Sequence, residues 1–143
     1  MKKLLDLITE EVVKAFEACD YKGEYGKVTL SNRPDLCEYQ CNGSLAAAKE
    51  YRCAPIQIAD KVVEELKKSS VFEEALAVKP GFINLKVSSL FVQEYLRKMA
   101  EDERLGCHKA ENPRTIMIDY GGPNVAKPLH VGHLRSAIIG ESV

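Results

Sequence analysis

Two histidines near the end of the chain have a spacing that suits phosphate chemistry. His130 and His133 flank Val131 and Gly132, and a loop rich in Gly and Pro separates them from an apolar run at residues 115–118. We therefore predict a strand buried on both faces, then a loop, then a helix that begins at the histidines. A helix N-terminus attracts phosphate, imidazole N–H groups donate hydrogen bonds to phosphoryl oxygens, and a glycine lets a flat ligand lie against the backbone. The pattern predicts a nucleotide site.

A metal pair is the competing interpretation of the two histidines. No third ligand has a suitable spacing, and Gly132 has no role in that account. Five cysteines without a CxxC pair disfavour a disulfide framework, and the spacing of Cys37, Cys41 and His108 matches no common zinc pattern. We predict no metal site and buried, reduced thiols.

The composition is that of a soluble globular protein. Of 143 residues, 45% are hydrophobic and 29% are charged, which supplies both a core and a solvated surface. No apolar run approaches the roughly 18 residues that cross a bilayer, so we expect a cytoplasmic protein without a membrane partner. The net charge of −1 excludes a broad basic surface, so nucleic-acid binding must come from a local site.

Hydrophobic periodicity predicts an α+β domain over residues 1–106, with helices on one face of a mostly antiparallel sheet. The predicted helices cover residues 2–18, 45–50 and 55–69, and Ser88 or Ser89 caps a fourth; the predicted strands cover residues 27–31, 36–42, 71–78 and 82–87. In the second strand, Gln40 and Asn42 share the face opposite Cys37, Tyr39 and Cys41. In the fourth, Phe82, Asn84 and Lys86 lie opposite Ile83, Leu85 and Val87.

A second domain begins after a predicted linker at residues 107–114. Residues 115–143 have the pattern of the opening of a Rossmann-like α/β domain. Such a fold needs at least a βαβ crossover to bury its first strand, and the residues after Arg114 are too few to supply one. We therefore expect a truncated strand, loop and helix.

The residues around the histidines resemble a known signature. Residues 123–136 read Pro-Asn-Val-Ala-Lys-Pro-Leu-His-Val-Gly-His-Leu-Arg-Ser, which resembles the HIGH signature of class I aminoacyl-tRNA synthetases in the form that arginyl-tRNA synthetases use. Residues 39–43, Tyr-Gln-Cys-Asn-Gly, and residues 80–84, Pro-Gly-Phe-Ile-Asn, are similar to that family's N-terminal additional domain. The resemblance covers nearly the whole chain.

This resemblance implies an arginine–tRNA ligase. Such enzymes activate arginine with ATP, accompanied by Mg²⁺, to arginyl-adenylate and transfer the arginyl group to tRNA(Arg). The resemblance assigns catalysis to His130, His133 and Lys127. It assigns ATP binding to His130, Gly132 and His133.

The implied arginine pocket consists of Gly122, Pro123, Asn124 and His133. The departure from the family is Gly121-Gly122, where members commonly have small hydroxyl residues. A hydroxyl missing at Gly122 leaves one substrate hydrogen bond to the backbone or to water.

For the first domain, the resemblance implies recognition of the D-loop side of the tRNA elbow. The strand alternation supplies the candidate residues, which are Gln40, Asn42, Phe82, Asn84 and Lys86. If their two strands are neighbours, these side chains form a platform with one aromatic ring to stack a base and amides to read its edge. An equally weighted alternative makes Phe82 a core residue covered by a helix. The alternative for the amides is that Gln40 and Asn42 are ordinary solvated strand residues.

We interpret the chain as an N-terminal fragment of such a ligase that is inactive alone. We expect the whole protein to be a monomer and the fragment to self-associate through residues 115–143. Two alternatives come from other classes of protein. One is a free-standing RNA-binding module with a relic nucleotide motif, and the other is a structural domain whose Gln40 and Phe82 face is buried against protein.

Overall fold

The computed structural model describes residues 1–122 and 126–142. The chain divides into two compact units, Met1–His108 and Lys109–Val143. The division lies inside the predicted linker. The assignment of a separate function to each unit stays a prediction.

The first unit contains every helix and strand that periodicity predicts for it. Its elements are α1 (Leu4–Ala18), a 3-10 helix (Gly23–Gly26), β1 (Val28–Leu30), β2 (Tyr39–Cys41), α2 (Gly43–Tyr51), α3 (Pro55–Leu66), β3 (Phe72–Val78), β4 (Phe82–Val87) and α4 (Ser89–Glu101). The strand β2 is shorter than predicted because the chain turns first: the N–H groups of Leu36 and Cys37 both donate to the carbonyl of Arg33, at 2.9 and 3.2 Å. Ser88 occupies the N-cap position of α4 but makes no side-chain capping hydrogen bond.

The four strands form one antiparallel sheet in the order β1-β2-β4-β3. The strand β4 pairs with β2 on one side and with β3 on the other. In this register Gln40 lies opposite Asn84 on β4 and opposite Thr29 on β1. The α+β class and the antiparallel sheet are therefore confirmed.

One face of the sheet carries the core. Ile83 and Leu85 of β4 are fully buried there, together with Cys41 of β2. The apolar stripes of α1 and α3 cover them, and their fully buried members are Ile8, Val12, Phe16, Ile58, Ala59 and Val62. Burying one such aliphatic side chain contributes about 1.5–3 kcal/mol, so this layer supplies most of the unit's stability.

The five cysteines are free thiols. Cys37 and Cys41 are buried as predicted, and burial raises the pKa of Cys41 to about 11. Cys19 and Cys53 are half-buried, and Cys107 is exposed. The prediction of a buried thiol is therefore wrong for Cys107, because it follows α4 in a polar turn where no apolar face covers it.

The second unit contains α5 (Val131–Ser142) but lacks the strand predicted over residues 115–118. A strand needs a partner for its backbone N–H and C=O groups, and no other strand lies in the described part of this unit. Ile116 and Met117 are accordingly 76% and 92% exposed rather than buried. None of the described helices combines the length and apolar composition that crossing a bilayer requires.

Gly43 begins α2 directly after β2, and it generates a stability prediction. A Cβ at this position would lie 1.7 Å from the carbonyl oxygen of Tyr25, so backbone must move to accommodate it. We expect Gly43→Ala to lower the free energy of unfolding by at least about 2 kcal/mol, measured by urea unfolding followed with circular dichroism. Ala46→Ser, at an exposed site of the same helix, should cost about 0.5 kcal/mol. Equal losses in the two variants would contradict the prediction.

Candidate functional site

The two histidines form a reciprocal cap on helix α5. The helix begins at Val131, so His130 is the N-cap residue and His133 is the third helical residue. The Nδ1 atom of His130 accepts a hydrogen bond from the N–H of Gly132 at 3.1 Å, and the Nδ1 atom of His133 accepts one from the N–H of His130 at 3.2 Å. The arrangement is similar to a capping box, except that the N-cap side chain accepts from the second helical N–H instead of the third and that imidazole nitrogens replace the hydroxyl and carboxylate oxygens.

This cap determines which nitrogen of each imidazole carries the proton. A neutral imidazole accepts through one nitrogen and donates through the other. Because both Nδ1 atoms accept, both neutral rings carry their proton on Nε2. The ring centroids of His130 and His133 lie 4.0 Å apart, so the two rings lie side by side at the start of α5.

Gly132 is required by the cap itself. A Cβ on this residue would lie 2.9 Å from Cε1 and 3.1 Å from Nδ1 of the His130 ring. A larger residue would therefore push His130 away from the N–H group that it caps. The glycine of the motif thus has a local role, since it leaves space for the His130 ring, in addition to allowing a ligand to approach.

An open cavity of about 1020 Å³ lies beside this cap. Its described lining consists of Gly121, Gly122, Leu129, His130, Val131, Gly132, His133, Leu134, Ser136 and Ala137. Four of the predicted nucleotide and arginine residues are therefore brought together: Gly122, His130, Gly132 and His133. Lys127 is exposed and is not among the described residues of the lining, and Pro123 and Asn124 lie outside the described residues.

Local backbone conformation and packing explain two further glycines of this unit, Gly121 and Gly140. Gly121 has φ +79°, a left-handed conformation that favours glycine over residues with a side chain. A Cβ on Gly140 would lie 2.3 Å from Cγ of Tyr120, so the helix accepts this ring only at a glycine. The Tyr120 hydroxyl donates to the Glu141 carboxylate, which raises the pKa of Tyr120. The contact was missed from sequence, although a glycine inside a helix signals such a close approach.

The first unit brings Gln40 and Asn84 together on the sheet face opposite the core. The Nε2 group of Gln40 donates to Oδ1 of Asn84 at 2.9 Å, across the β2–β4 pair. Phe82 lies on the same face of β4, is half-buried, and does not belong to the core cluster or to the apolar side chains packed against it. The interpretation of Phe82 as a covered core residue is therefore not supported.

The remaining two predicted RNA residues have different surroundings. Asn42 is the exposed N-cap residue of α2 and makes no side-chain capping bond. The Nζ atom of Lys86 lies 3.5 Å from Oε1 of Glu73 on β3. Lys86 is thus on the predicted face, but an acidic neighbour partly neutralises it.

Sequence reasoning missed the residues that neighbouring strands add to this face. The register places Thr29 opposite Gln40, Leu76 opposite Asn84 and Val78 opposite Phe82. Leu76 and Val78 are 47% and 39% exposed, which is high for apolar strand residues. We define the open face as the surface formed by the side chains of Thr29, Gln40, Leu76, Val78, Phe82, Asn84 and Lys86. The alternation in β3 could have identified Leu76 and Val78, but only the strand order shows which residues they adjoin.

Within residues 1–122 and 126–142, no three His, Cys, Asp or Glu side chains come together in a group that could hold a metal ion.

Comparison with known proteins assigns the family. The family model described as the arginyl tRNA synthetase N terminal domain matches residues 2–87. The chain belongs to the arginyl-tRNA synthetase family. A second family model, the catalytic domain of class I tRNA synthetases specific for arginine, matches residues 95–143. The resemblance noted in the sequence is therefore confirmed.

Individual arginyl-tRNA synthetases agree with this assignment. Curated proteins named arginine–tRNA ligase from Agathobacter rectalis and Alkaliphilus oremlandii are 62% and 53% identical to the chain over its full length. The chain spans only 24% of the length of each. The crystal structure of arginyl-tRNA synthetase from Plasmodium falciparum matches 99% of the chain and 28% of its own, with a TM-score of 0.60 and 27% identity. The Thermus thermophilus arginyl-tRNA synthetase matches 98% of the chain and 22% of its own, with a TM-score of 0.53 and 25% identity.

The capping geometry predicts the tautomers of the signature histidines. We expect long-range ¹H–¹⁵N spectra at a pH where the rings are neutral to show His130 and His133 protonated on Nε2 alone. His108 is the internal control, since its imidazole has no hydrogen-bond partner in the described part of the chain. Gly132→Ala should return His130 toward the tautomer mixture of His108. A mixture at both capping histidines in the unsubstituted chain would show that the cap does not form in solution.

Proposed function

We propose that this chain is the tRNA-contacting domain and the first part of the nucleotide site of an arginine–tRNA ligase. The whole enzyme would join arginine to tRNA(Arg) in two steps, with ATP consumed in the first. The observation that carries this proposal is the reciprocal cap of His130 and His133, which leaves two Nε2–H donors at the edge of a cavity next to a helix N-terminus. The family assignment supports it.

The chemistry of the first step uses these donors. The arginine carboxylate attacks the α-phosphorus of ATP, a P–O bond to the β-phosphate breaks, and pyrophosphate leaves as arginyl-adenylate forms. Negative charge grows on the phosphoryl oxygens in the transition state, and preorganised N–H donors stabilise such charge. His130 and His133 have this role, and Gly132 lets the nucleotide approach the backbone. Lys127 would add positive charge, and Mg²⁺ would accompany the ATP phosphates.

Arginine would bind beside the histidines, at Gly122, Pro123, Asn124 and His133. Of these, Gly122 and His133 line the described cavity. The described lining contains no Asp or Glu to hold a guanidinium group. We therefore assign the acidic partner of the arginine side chain to residues outside this lining.

The tRNA elbow would bind on the open face. The hydrogen bond between Gln40 and Asn84 leaves Oε1 of Gln40 as an acceptor and Nδ2 of Asn84 as a donor, which together can match the edge of a base. Phe82 lies one residue pair away on the same strand face, and its ring can stack a splayed base. The D-loop side of the elbow presents unpaired bases of this kind.

Binding of tRNA tests the first assignment. We expect Phe82→Ala to weaken binding of an arginine tRNA transcript by about 1–3 kcal/mol, the value of one base–aromatic stack. Gln40→Ala and Asn84→Ala should each weaken it by about 1 kcal/mol, as measured by fluorescence anisotropy at constant salt. Gln93→Ala, at an exposed position of α4, is the matched control. Affinities equal to that of the control in all three variants would refute RNA recognition by the open face.

Exchange of pyrophosphate into ATP tests the second assignment, the nucleotide site. In the complete ligase that contains this chain, His130→Ala should lower exchange about 10²- to 10³-fold, as loss of one preorganised donor does. With arginine and tRNA present, the 143-residue chain alone should show no exchange above its own double variant His130→Ala, His133→Ala, because the described lining of its cavity is open and lacks a carboxylate. Exchange by the chain alone would show that the site needs no residues beyond those of this chain, and it would overturn that assignment.

A further inference from the structure

Side chains on the open face fall into rows that cross the strands. One row contains Thr29, Gln40, Asn84 and Leu76, as the register pairs them. Continuing the β1–β2 and β2–β4 registers by one residue gives the neighbouring row, which contains Lys27, Asn42, Phe82 and Val78. Both rows change from polar at β1 to apolar at β3, so the open face has two chemically different ends.

One groove has both Lys27 and Asn42 in its lining. Its volume is about 320 Å³, and its described lining consists of Glu24, Tyr25, Lys27, Thr29, Asn42, Gly43 and Ala46. The side chains of Lys27, Thr29 and Asn42 are all exposed. The Thr29 hydroxyl makes only a long bond, 3.4 Å to the carbonyl of Gln40, and Asn42 makes no capping bond. These polar groups are therefore available to a ligand.

The charges on the face also differ between its ends. Lys86 lies 3.5 Å from Glu73 and pairs with Glu74 in the register. Lys27 forms no ion pair in the described part of the chain, although Glu24 lines the same groove. Lys27 is thus the better site for a phosphate, even though Lys86 is the lysine that the strand pattern suggested.

We propose that the groove of Lys27, Thr29 and Asn42 holds the sugar and phosphate of the RNA residue whose base stacks on Phe82. This inference rests on the proposed RNA-binding function. Phe82 lies two strands away from β1, or about 10 Å, so the base and the phosphate occupy different positions along one row. Lys27 contacts the phosphate, while Thr29 and Asn42 provide a hydroxyl and an amide for the ribose hydroxyls, through which proteins distinguish RNA from DNA.

The experiment measures the salt dependence of binding to an arginine tRNA transcript. We expect Lys27→Gln to weaken binding about tenfold at low salt and to reduce the slope of log K against log salt concentration by about 0.7 to 1, the loss of one phosphate contact. Lys27→Arg should keep the slope. Lys86→Gln should reduce the slope less than Lys27→Gln does, because Glu73 already neutralises Lys86 in part. Lys61→Gln, at an exposed position of α3 on the helical side of the sheet, is the control that should leave the slope unchanged. Circular dichroism of each variant verifies that the fold is unchanged.

Each outcome of this experiment supports or refutes the placement of the phosphate in the groove. If Phe82→Ala and Gln40→Ala weaken binding while Lys27→Gln behaves as Lys61→Gln does, the open face binds RNA but this placement of the phosphate is wrong. If Lys86→Gln reduces the slope and Lys27→Gln does not, the phosphate lies at the other end of the face. If the unsubstituted chain does not bind the transcript, the RNA-binding function fails and the groove assignment fails with it.

Discussion

The alternation of side chains along β4 is the constraint on which the first unit depends. Ile83 and Leu85 point into the core and are fully buried, while Phe82 and Asn84 lie on the other face. A slip of one residue would exchange these sets. Exposing the two aliphatic side chains would cost about 1.5–3 kcal/mol each, which is a large part of the stability of a small domain. The core therefore holds the polar side chains in register.

This coupling explains how a few polar side chains on the open face are held in one defined arrangement. Gln40 and Asn84 come from strands that are far apart in sequence, yet their amides meet at 2.9 Å because β2 and β4 pair at this register. The same register aligns polar side chains toward β1 and the exposed Leu76 and Val78 toward β3. A chain of net charge −1 can thus present one local site for RNA without a general attraction for phosphate.

The second unit achieves its geometry differently. The positions of His130 and His133 depend on hydrogen bonds between residues two and three apart in sequence, at the start of one helix. No tertiary packing is needed, and the site geometry is present although Ile116 and Met117 are exposed. The spacing of the motif therefore serves helix initiation, and the capping arrangement leaves both Nε2–H groups free for a ligand.

Local patterns were enough to predict the helices and strands of the first unit, the inward and outward residues of β4, and a helix that begins at the two histidines. These features depend on periods of two or 3.6 residues and on contacts within one helical turn. The order β1-β2-β4-β3, the position of Thr29 and Lys27 beside the predicted RNA residues, and the ion pair of Lys86 depend on strands that meet only after folding. The same reason accounts for residues 115–118, whose apolar pattern indicates a strand but whose backbone needs a partner strand to become one.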